Sequence, residues 1–436
     1  MKDIVFPQTA QFDGSRLVAL GGVRLEDLAT HFGTPLYVMD RAELIARMRA
    51  YRQAFGPEAT VAYAAKALCV IGVLQLVAAE GLHLDVASGG ELYTAARAQF
   101  PMERVVFHGN NKSVDELEYA AQLGVGRIVV DSFSELERLA QIGKRVERTF
   151  NISLRVTPGV LPETHGFIAT GQDDVKFGFT LSAGLAHEAA ARALALDQVC
   201  LSGMHCHIGS QITELRVFEA AAELMLSFLA DLRRVHGVVI SELNLGGGLG
   251  IAYREADVAL AIEEYADALW MAVKEGAARH GLVTPRLAVE PGRSIVGPAG
   301  LTLYTVGTIK RVPDARTYVS VDGGISDNLR PALYGSRYTI RAAGAGYADA
   351  LMARLTIAGK HCESGDILAR DVLLPNDLAE GDLLAVAATG AYGYAMASNY
   401  NRLPRPAMVL VGDGRAEPLV RRETLDDLVA HDLPLM

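Results

Sequence analysis

A regular alternation of short apolar runs with longer amphipathic segments, between residues 60 and 290, is the feature that most constrains the fold. Two amphipathic segments open with the Ser-x-x-Glu pattern of a helix capping box, at residues 113–116 and 132–135. The apolar runs are rich in β-branched residues, as buried strands are, and eight of them occupy residues 60–64, 83–87, 104–108, 127–131, 151–156, 199–206, 241–245 and 286–290. This α/β pattern predicts a (β/α)8 TIM barrel, although strand counting leaves an open doubly wound sheet as the alternative.

Polar residues and one glycine cluster lie at or just past the carboxyl ends of these runs. They are Lys66, Asp85, His108, Asp131, Arg155, His207, Gly246-Gly247-Gly248 and Glu290. In a TIM barrel that face carries the active site, so one pocket could collect them, and the placement favours the barrel. Asp131, directly before Ser132, is expected to be only an N-cap or a polar residue with satisfied hydrogen bonds.

After Pro298 the chain changes to short strand-like runs separated by Gly, Pro and Asp turns, which predicts an all-β domain. Residues 1–35 are turn-rich and have no barrel partner, so we assign them to the same domain. The predicted division is a barrel over 36–296 and a C-terminal β-domain over 297–436 that also takes in the N-terminal segment 1–35. Residues 342–346 are Gly-rich and are interpreted as a loop.

Composition narrows the class of protein. The net charge is −10 with no Lys/Arg cluster, which argues against a nucleic-acid partner. The first residues lack the apolar segment of a signal peptide, and no apolar stretch is long enough for a membrane span. The cysteines form no CxxC pair and are typical of cytosolic free thiols: Cys69, Cys200, Cys206 and Cys362. We therefore expect a cytoplasmic protein without membrane or nucleic-acid partners.

Lys66 closes the first predicted barrel strand, in Tyr63-Ala64-Ala65-Lys66-Ala67. A lysine at a strand end commonly extends its stem and places its ammonium in solvent. Partly desolvated at the mouth of a barrel, its amine would instead have a lowered pKa and act as a nucleophile. A carbonyl cofactor such as pyridoxal 5′-phosphate needs such an amine for covalent attachment, and other strand ends supply the remaining parts of such a site.

The loops after the seventh and eighth strands suit a phosphate group. Gly246-Gly247-Gly248-Leu249-Gly250 lets backbone N–H groups approach it, and Glu290-Pro291-Gly292-Arg293-Ser294 adds Gly292 and a guanidinium. TIM barrels commonly bind phosphate at these two loops. Glu290 would then face the pyridine nitrogen and keep the ring protonated, so that the ring can accept electrons. The alternative for Glu290 is a surface ion pair with Arg293.

The sixth strand ends in Met204-His205-Cys206-His207-Ile208-Gly209-Ser210-Gln211. Strand alternation places His205 and His207 on one face. Two histidines without a third ligand nearby form a weak metal site, so no metal is predicted. We expect His207 to stack on the cofactor ring, Ser210 to reach the phosphate, and His205 to play a supporting part.

Three polar segments downstream, at residues 327–334, 361–366 and 390–394, are not explained by the barrel. Together with the barrel motifs they resemble the alanine-racemase-fold (fold type III) pyridoxal phosphate-dependent decarboxylases, and among these most closely the diaminopimelate decarboxylases. The resemblance covers nearly the whole chain. The blocks that carry it are residues 63–67, 85–91, 176–178, 207–211, 290–293, 330–334, 362–366 and 390–392.

The resemblance implies decarboxylation of meso-2,6-diaminopimelate to L-lysine and CO2, the last step of lysine biosynthesis, by a homodimer with shared active sites. It implies three catalytic residues, Lys66, His207 and Cys362, with Cys362 as the proton donor. The implied cofactor-binding residues are Lys66, Asp85, His207, Ser210, Gly247, Gly248, Glu290, Gly292, Arg293 and Tyr392. The implied substrate-binding residues are Arg293, Arg330, Tyr334, Glu363 and Tyr392, with Cys362 and Glu363 of the partner subunit completing each site. Leu68 and residues 325–328 depart from the commoner family pattern without removing any of these roles.

Several alternatives stay open. A decarboxylase of ornithine, arginine or carboxynorspermidine would share the cofactor residues, and a racemase of the same fold would add a second catalytic base. A non-catalytic pyridoxal phosphate carrier would not need Cys362 or Glu363. A metal-dependent barrel hydrolase would use His205 and His207. The glycines of residues 164–176 would permit a lid.

Overall fold

The computed structural model describes residues 4–160, 175–345 and 351–436, so most of the 164–176 segment lies outside the described residues. The strands are β1 (Gln11–Asp13), β2 (Arg16–Leu20), β3 (Val23–Arg24), β4 (Leu36–Asp40), β5 (Thr60–Ala64), β6 (His83–Val86), β7 (Val105–Phe107), β8 (Arg127–Val130), β9 (Phe150–Thr157), β10 (Phe179–Thr180), β11 (Val199–His205), β12 (Glu242–Asn244), β13 (Arg286–Val289), β14 (Gly300–Val312), β15 (Arg316–Val321), β16 (Ile340–Ala343), β17 (Met352–Ala358), β18 (Ile367–Pro375), β19 (Leu383–Val386), β20 (Ala407–Gly412) and β21 (Arg415–Val420). The helices are α1 (Leu25–Phe32), α2 (Arg41–Phe55), α3 (Ile71–Ala79), α4 (Gly89–Arg97), α5 (Val114–Leu123), α6 (Phe133–Val146), α7 (Leu185–Leu194), α8 (Leu215–His236), α9 (Ile262–Arg279), α10 (Arg293–Val296), α11 (Arg330–Tyr334) and α12 (Leu425–Val429).

The chain forms two compact units. One comprises Met1–Ala46, Ile251–Val258 and Ile295–Met436, and the other comprises Arg47–Gly250 and Ala259–Ser294. We call them the mixed-sheet unit and the barrel unit. Among the helices of the described residues, none is long and apolar enough to cross a lipid bilayer.

The barrel unit is a closed parallel sheet. Its strand order is β9-β11-β12-β13-β5-β6-β7-β8, and β8 pairs with β9 to close the ring, while the two-residue β10 adds to β9 outside it. Each of the eight ring strands overlaps one of the predicted runs. Closure confirms the predicted (β/α)8 barrel and excludes the open doubly wound sheet.

The helix-start patterns form caps, with one difference. Ser113 accepts a hydrogen bond from the backbone N–H of Glu116, and the Glu116 carboxylate accepts one from the backbone N–H of Ser113, which completes the predicted capping box of α5. At α6, Ser132 caps the helix, but the Glu135 carboxylate turns to the backbone N–H of Asp131 and to the buried ammonium of Lys112. A buried lysine needs a carboxylate partner, and this requirement outweighs the capping box.

The mixed-sheet unit contains a sheet with the main strand order β1-β2-β16-β19-β14-β15-β17-β18. The long strand β14 alternates between two apolar clusters: Leu301 and Leu303 face one, and Tyr304 and Val306 face the other. The N-terminal strands β1, β2 and β3 join this sheet, which places them with the C-terminal strands as the sequence predicts.

The predicted barrel range of 36–296 differs from the structure at its N-terminal edge. Strand β4 pairs antiparallel with β14 and parallel with β20, so it belongs to the mixed sheet. Residues 36–40 are all buried, as in a barrel strand, and this local pattern does not reveal which sheet contains the strand. Helix α1 and strand β16 were not predicted, and β16 covers part of the segment interpreted as a loop.

Candidate active site

Lys66 projects from the carboxyl end of β5. The short 3-10 turn that holds it has Ala65 and Ala67 fully buried, whereas the Lys66 side chain is 43% exposed. The Lys66 Nζ lies 3.8 Å from Oδ2 of Asp85, at the end of the neighbouring strand β6. The amine is thus reachable and held beside a buried carboxylate.

A buried polar network connects Asp85 to Glu290. His108 Nε2 lies 3.8 Å from Oδ1 of Asp85 and 2.7 Å from Oε1 of Glu290. Lys66 and Glu290 are therefore linked across the same end of the barrel by a chain of two intervening side chains. The sequence predicts that these two groups lie on opposite sides of one cofactor, and that assignment stays a prediction.

The Glu290 carboxylate has two further partners. Asn244 Nδ2 donates a hydrogen bond to Oε1 at 2.7 Å, and His205 Nε2 lies 3.0 Å from Oε2. Glu290 is 4% exposed, so the predicted alternative of a surface ion pair with Arg293 does not describe it. The supporting part expected for His205 is to hold this carboxylate.

Burial and hydrogen bonding set the charges in the network. Burial opposes ionisation of Glu290, but its close contacts with the imidazoles of His108 and His205 outweigh the effect of burial and hold its pKa well below the usual value. Burial lowers the pKa of His205 to about 4 and, together with the nearby Lys66 charge, holds that of His207 well below its usual value. Near neutral pH the site thus contains an ionised glutamate and two neutral imidazoles.

Asp85 differs from Glu290. Burial raises the pKa of Asp85, and the charges of His108 and Lys66 oppose this increase. The pKa values of the two carboxyl groups are therefore shifted in opposite directions, and Glu290 is the stronger acid. Paired groups whose pKa values are pushed apart are typical of functional sites.

The glycine-rich loop after β12 has close backbone approaches that a side chain would block. A Cβ on Gly246 would lie 2.6 Å from the carbonyl oxygen of Cys206, and one on Gly248, whose φ is +121°, would lie 2.6 Å from that of Gly209. At Gly247 a Cβ would collide with the carbonyl oxygen of Glu290. Beyond β13, a Cβ on Gly292 would lie 3.0 Å from that of Ala67.

Ser210 and Arg293 meet beside these glycines. The Arg293 guanidinium donates to Ser210 Oγ, with an Nη2–Oγ distance of 2.8 Å. The backbone N–H of Gly247 donates to His207 Nδ1 at 3.3 Å, which ties the glycine loop to the end of β11. An arginine, a hydroxyl and a glycine loop are groups that bind a phosphate.

In the mixed-sheet unit, the structure brings Arg330, Tyr334 and Tyr392 together. The Arg330 guanidinium carbon lies 5.0 Å from the centre of the Tyr334 ring and 5.7 Å from that of Tyr392, and Arg330 Nε donates to Tyr338 OH at 3.0 Å. Arg330 is 5% exposed, so an anionic ligand would meet a guanidinium already oriented by aromatic contacts.

Cys362 and Glu363 lie on a separate loop of the same unit, between β17 and β18, and both are exposed. The backbone N–H of Cys362 donates to Asn401 Oδ1 at 2.9 Å, and Glu363 accepts from the backbone N–H of Gly365 at 3.3 Å. The thiol and the carboxylate therefore sit at the tip of a loop whose backbone is held in place.

These residues fit pyridoxal phosphate. Lys66 offers an amine for the aldehyde, Glu290 a buried anion for a protonated ring nitrogen, and Gly246–Gly248 a cradle that a Cβ would fill. Sequence reasoning missed Asn244, which accepts the backbone N–H of Gly246 at 2.8 Å while donating to Glu290. The available signal was its amide side chain in an otherwise apolar strand end.

No metal is predicted from the sequence, and the metal-dependent alternative would use His205 and His207. The structure instead places His205 with His108 and Glu290, whose ligand atoms all lie within 4.8 Å of one another. Two histidines and one glutamate are a known zinc ligand set, so removal of metal belongs among the tests of function.

Comparison with known proteins identifies the family. Residues 41–297 match the model of the pyridoxal-dependent decarboxylase, pyridoxal binding domain. The diaminopimelate decarboxylase of Bacillus subtilis is 50% identical over 95% of both chains, and that of Mycobacterium tuberculosis is 46% identical over 98% of both. The crystal structure of diaminopimelate decarboxylase from M. jannaschii in complex with L-lysine superimposes with a TM-score of 0.91, at 35% identity and 98% coverage of both chains. The resemblance predicted from the motifs is confirmed, and the chain belongs to the diaminopimelate decarboxylase family, whose cofactor is pyridoxal 5′-phosphate.

Proposed function

We propose that this chain is a carboxy-lyase that converts meso-2,6-diaminopimelate to L-lysine and CO2 with pyridoxal phosphate as cofactor. The observation that carries the proposal is the link from Lys66 through Asp85 and His108 to the ionised Glu290 at one end of the barrel. The close relatives that share nearly the full length of the chain bear the corresponding name.

Lys66 binds the cofactor covalently in this proposal, and Glu290 holds a proton at the ring nitrogen. His207, neutral near physiological pH, stacks on the ring, and Asp85 holds the Lys66 amine. The phosphate is bound by Ser210 and Arg293, by the glycine loops that contain Gly247, Gly248 and Gly292, and by the side chain of Tyr392. When bound, pyridoxal phosphate supplies an electron sink for the electron pair left at Cα when the α-carboxylate departs.

The proton that replaces the carboxylate at Cα comes from Cys362 Sγ in this proposal. A thiol is a competent general acid near neutral pH, and a positioned acid contributes about 10²–10⁴-fold to a rate. The exposure of Cys362 on its loop supports access to a substrate. Its neighbour Glu363 accepts the distal ammonium of the substrate.

The distal carboxylate of the substrate is bound by Arg293 and Arg330. Arg330 is buried and flanked by Tyr334 and Tyr392, which supports a role in orienting a carboxylate rather than in solvation. The Tyr392 backbone adopts a φ of +59°, a left-handed conformation that tyrosine rarely adopts and that is common at functional sites.

We propose further that the enzyme is a cytoplasmic homodimer, in which Cys362 and Glu363 of the partner subunit complete each active site. The exposure of both residues on their own chain supports this assignment. Mixing the inactive variants Lys66→Ala and Cys362→Ala tests it. If sites are shared and subunits exchange at random, half of the dimers carry one native site, so activity returns to about a quarter of the native value. No recovery after proven subunit exchange would exclude sharing.

Incubation of the purified chain with pyridoxal phosphate and a panel of amino acids tests the function, with CO2 and the product amine measured. Release of CO2 from meso-diaminopimelate with formation of lysine is expected. Turnover of ornithine, arginine or carboxynorspermidine instead would identify a sister decarboxylase, isomerisation without CO2 a racemase, and cofactor binding without turnover a carrier. Activity abolished by a chelator and restored by zinc would indicate a metal enzyme.

A further inference from the structure

A buried carboxylate outside the barrel, Asp366, joins two loops of the mixed-sheet unit. We name residues 359–366, which carry Cys362 and Glu363, the acid loop, and residues 322–330, which end at Arg330, the arginine loop. We propose that Asp366 is a positioning residue, which fixes the acid loop relative to the arginine loop and so sets the orientation of Cys362. The inference rests on the proposed function, since it concerns the placement of that site's proton donor.

Each carboxylate oxygen of Asp366 accepts a hydrogen bond from the backbone of one of the two loops. Oδ1 accepts a hydrogen bond from the backbone N–H of Ile325, in the arginine loop, at 2.8 Å. Oδ2 accepts from the backbone N–H of His361, in the acid loop, at 2.9 Å, and it lies 2.9 Å from His361 Nδ1. The side chain of Asp366 is only 1% exposed. Only a carboxylate accepts hydrogen bonds through both of its terminal atoms, so no amide of the same size satisfies both loops.

Two glycines leave room for the Asp366 carboxylate between the two loops. A Cβ on Gly324 would lie 2.5 Å from both Asp366 oxygens, and one on Gly359 would collide with the same carboxylate. The loops also bond directly, since the backbone N–H of Lys360 donates to the carbonyl oxygen of Gly323 at 2.9 Å. A glycine in each loop therefore allows the close approach of the two loops at Asp366.

Each loop has one further stabilising contact. In the acid loop the His361 ring stacks on Tyr400, with centroids 5.5 Å apart and an interplanar angle of 4°. In the arginine loop, the backbone N–H of Gly324 donates to a second buried carboxylate, Asp327 Oδ1, at 2.8 Å. Because His361 directly precedes Cys362, fixing His361 constrains the backbone from which the thiol projects.

The substitution Asp366→Asn tests the proposal on the full-length holoenzyme. It keeps the size of the side chain but places an NH2 donor against the N–H of one loop. We expect kcat for meso-diaminopimelate to fall at least tenfold, with the Kd for pyridoxal phosphate within twofold of native. Asp371→Asn, at an exposed residue of β18, is the matched control and should leave both values unchanged.

A second readout does not depend on activity. Cys362 and Cys200 are both exposed, so the rate of Cys362 alkylation by iodoacetamide can be referred to Cys200 in the same molecule by peptide mass spectrometry. We expect Asp366→Asn to change this ratio at least threefold. His361→Phe keeps the stacked ring but loses its hydrogen bond, and should change the ratio and kcat in the same direction by less.

A folded Asp366→Asn chain with kcat within twofold of native and an unchanged alkylation ratio overturns the proposal. If Asp366→Asn does not fold by circular dichroism, His361→Phe decides, and native values in that variant overturn the proposal equally. If the native chain does not decarboxylate meso-diaminopimelate, the proposed function fails on its own, while the alkylation ratio still shows whether Asp366 orients Cys362.

Discussion

The substitution Glu290→Gln isolates the charge that the account places at the ring nitrogen. In the structure, Oε1 of Glu290 is held at 2.7 Å by Asn244 Nδ2, whose own Oδ1 accepts the backbone N–H of Gly246. The Asn244 amide therefore cannot turn over, and its Nδ2 still donates toward residue 290. A glutamine at position 290 must place its side-chain oxygen next to Asn244 Nδ2 and its NH2 group next to His205. The variant preserves volume and most contacts but loses the negative charge.

The magnitude follows from one charge-assisted hydrogen bond at the ring nitrogen. Such bonds contribute about 1.5–3 kcal/mol, and at about 1.4 kcal/mol per factor of ten this predicts a decrease in kcat of roughly 10- to 150-fold. The assay is initial CO2 release and lysine formation at saturating substrate and pyridoxal phosphate, after the cofactor Kd of the variant has been measured. Glu275→Gln, at a glutamate that is 63% exposed on α9, serves as the control and should retain native kcat. A kcat for Glu290→Gln within twofold of native would refute the reasoning.

Three further predictions concern proton transfer, selectivity and pH. Cys362→Ala should lower kcat by about 10²–10⁴-fold while the visible spectrum of the bound cofactor stays intact, and an unchanged kcat would remove Cys362 as the acid. Lysine lacks the distal carboxylate and would leave the buried Arg330 unpaired, so its kcat/KM should be about 10⁴-fold below that of meso-diaminopimelate; comparable turnover would contradict the distal-site assignment. The pKa of His205 is about 4 in the folded chain and about 6.5 in the unfolded chain. Between pH 6.5 and pH 4 the His205 ring is therefore protonated only in the unfolded chain, and the folded state loses stability as the pH falls. From pH 7 to pH 5 this histidine should contribute a loss of about 2 kcal/mol in the free energy of unfolding, measured by chemical denaturation. Over that interval His205→Asn should lose less free energy of unfolding than the native chain, and His31→Asn, at an exposed histidine, should lose as much as the native chain. Equal losses in all three chains would contradict the assignment of the pH dependence to His205.

The barrel was predictable from sequence because its strands are short, buried on both faces and separated by helices with recognisable caps. The position of Lys66, Asp85 and Glu290 at strand ends then predicts that they share one face of the barrel. The assignment of β4 was not predictable in this way. A run of five buried residues fits a barrel strand as well as a central strand of a mixed sheet, and only its pairing with β14 and β20 separates the two.

Residues that act through other residues were the least predictable part of the site. Asn244 and Asp366 are each defined by one hydrogen bond to a nearby residue and one to a segment distant in sequence. Similarly, Glu135 has the sequence of a capping-box residue, yet the burial of Lys112 redirects its carboxylate. Local patterns report propensity, whereas these roles depend on which charges the fold buries.

The central claim is that the amine of Lys66 holds the cofactor at the mouth of the barrel. Borohydride reduction of the holoenzyme, followed by peptide mapping by mass spectrometry, tests it most directly. We expect one phosphopyridoxyl group per chain, located on Lys66, and none on Lys66→Ala treated in the same way. A label on a different lysine, or an unlabelled chain that still releases CO2 from meso-diaminopimelate, would contradict the account.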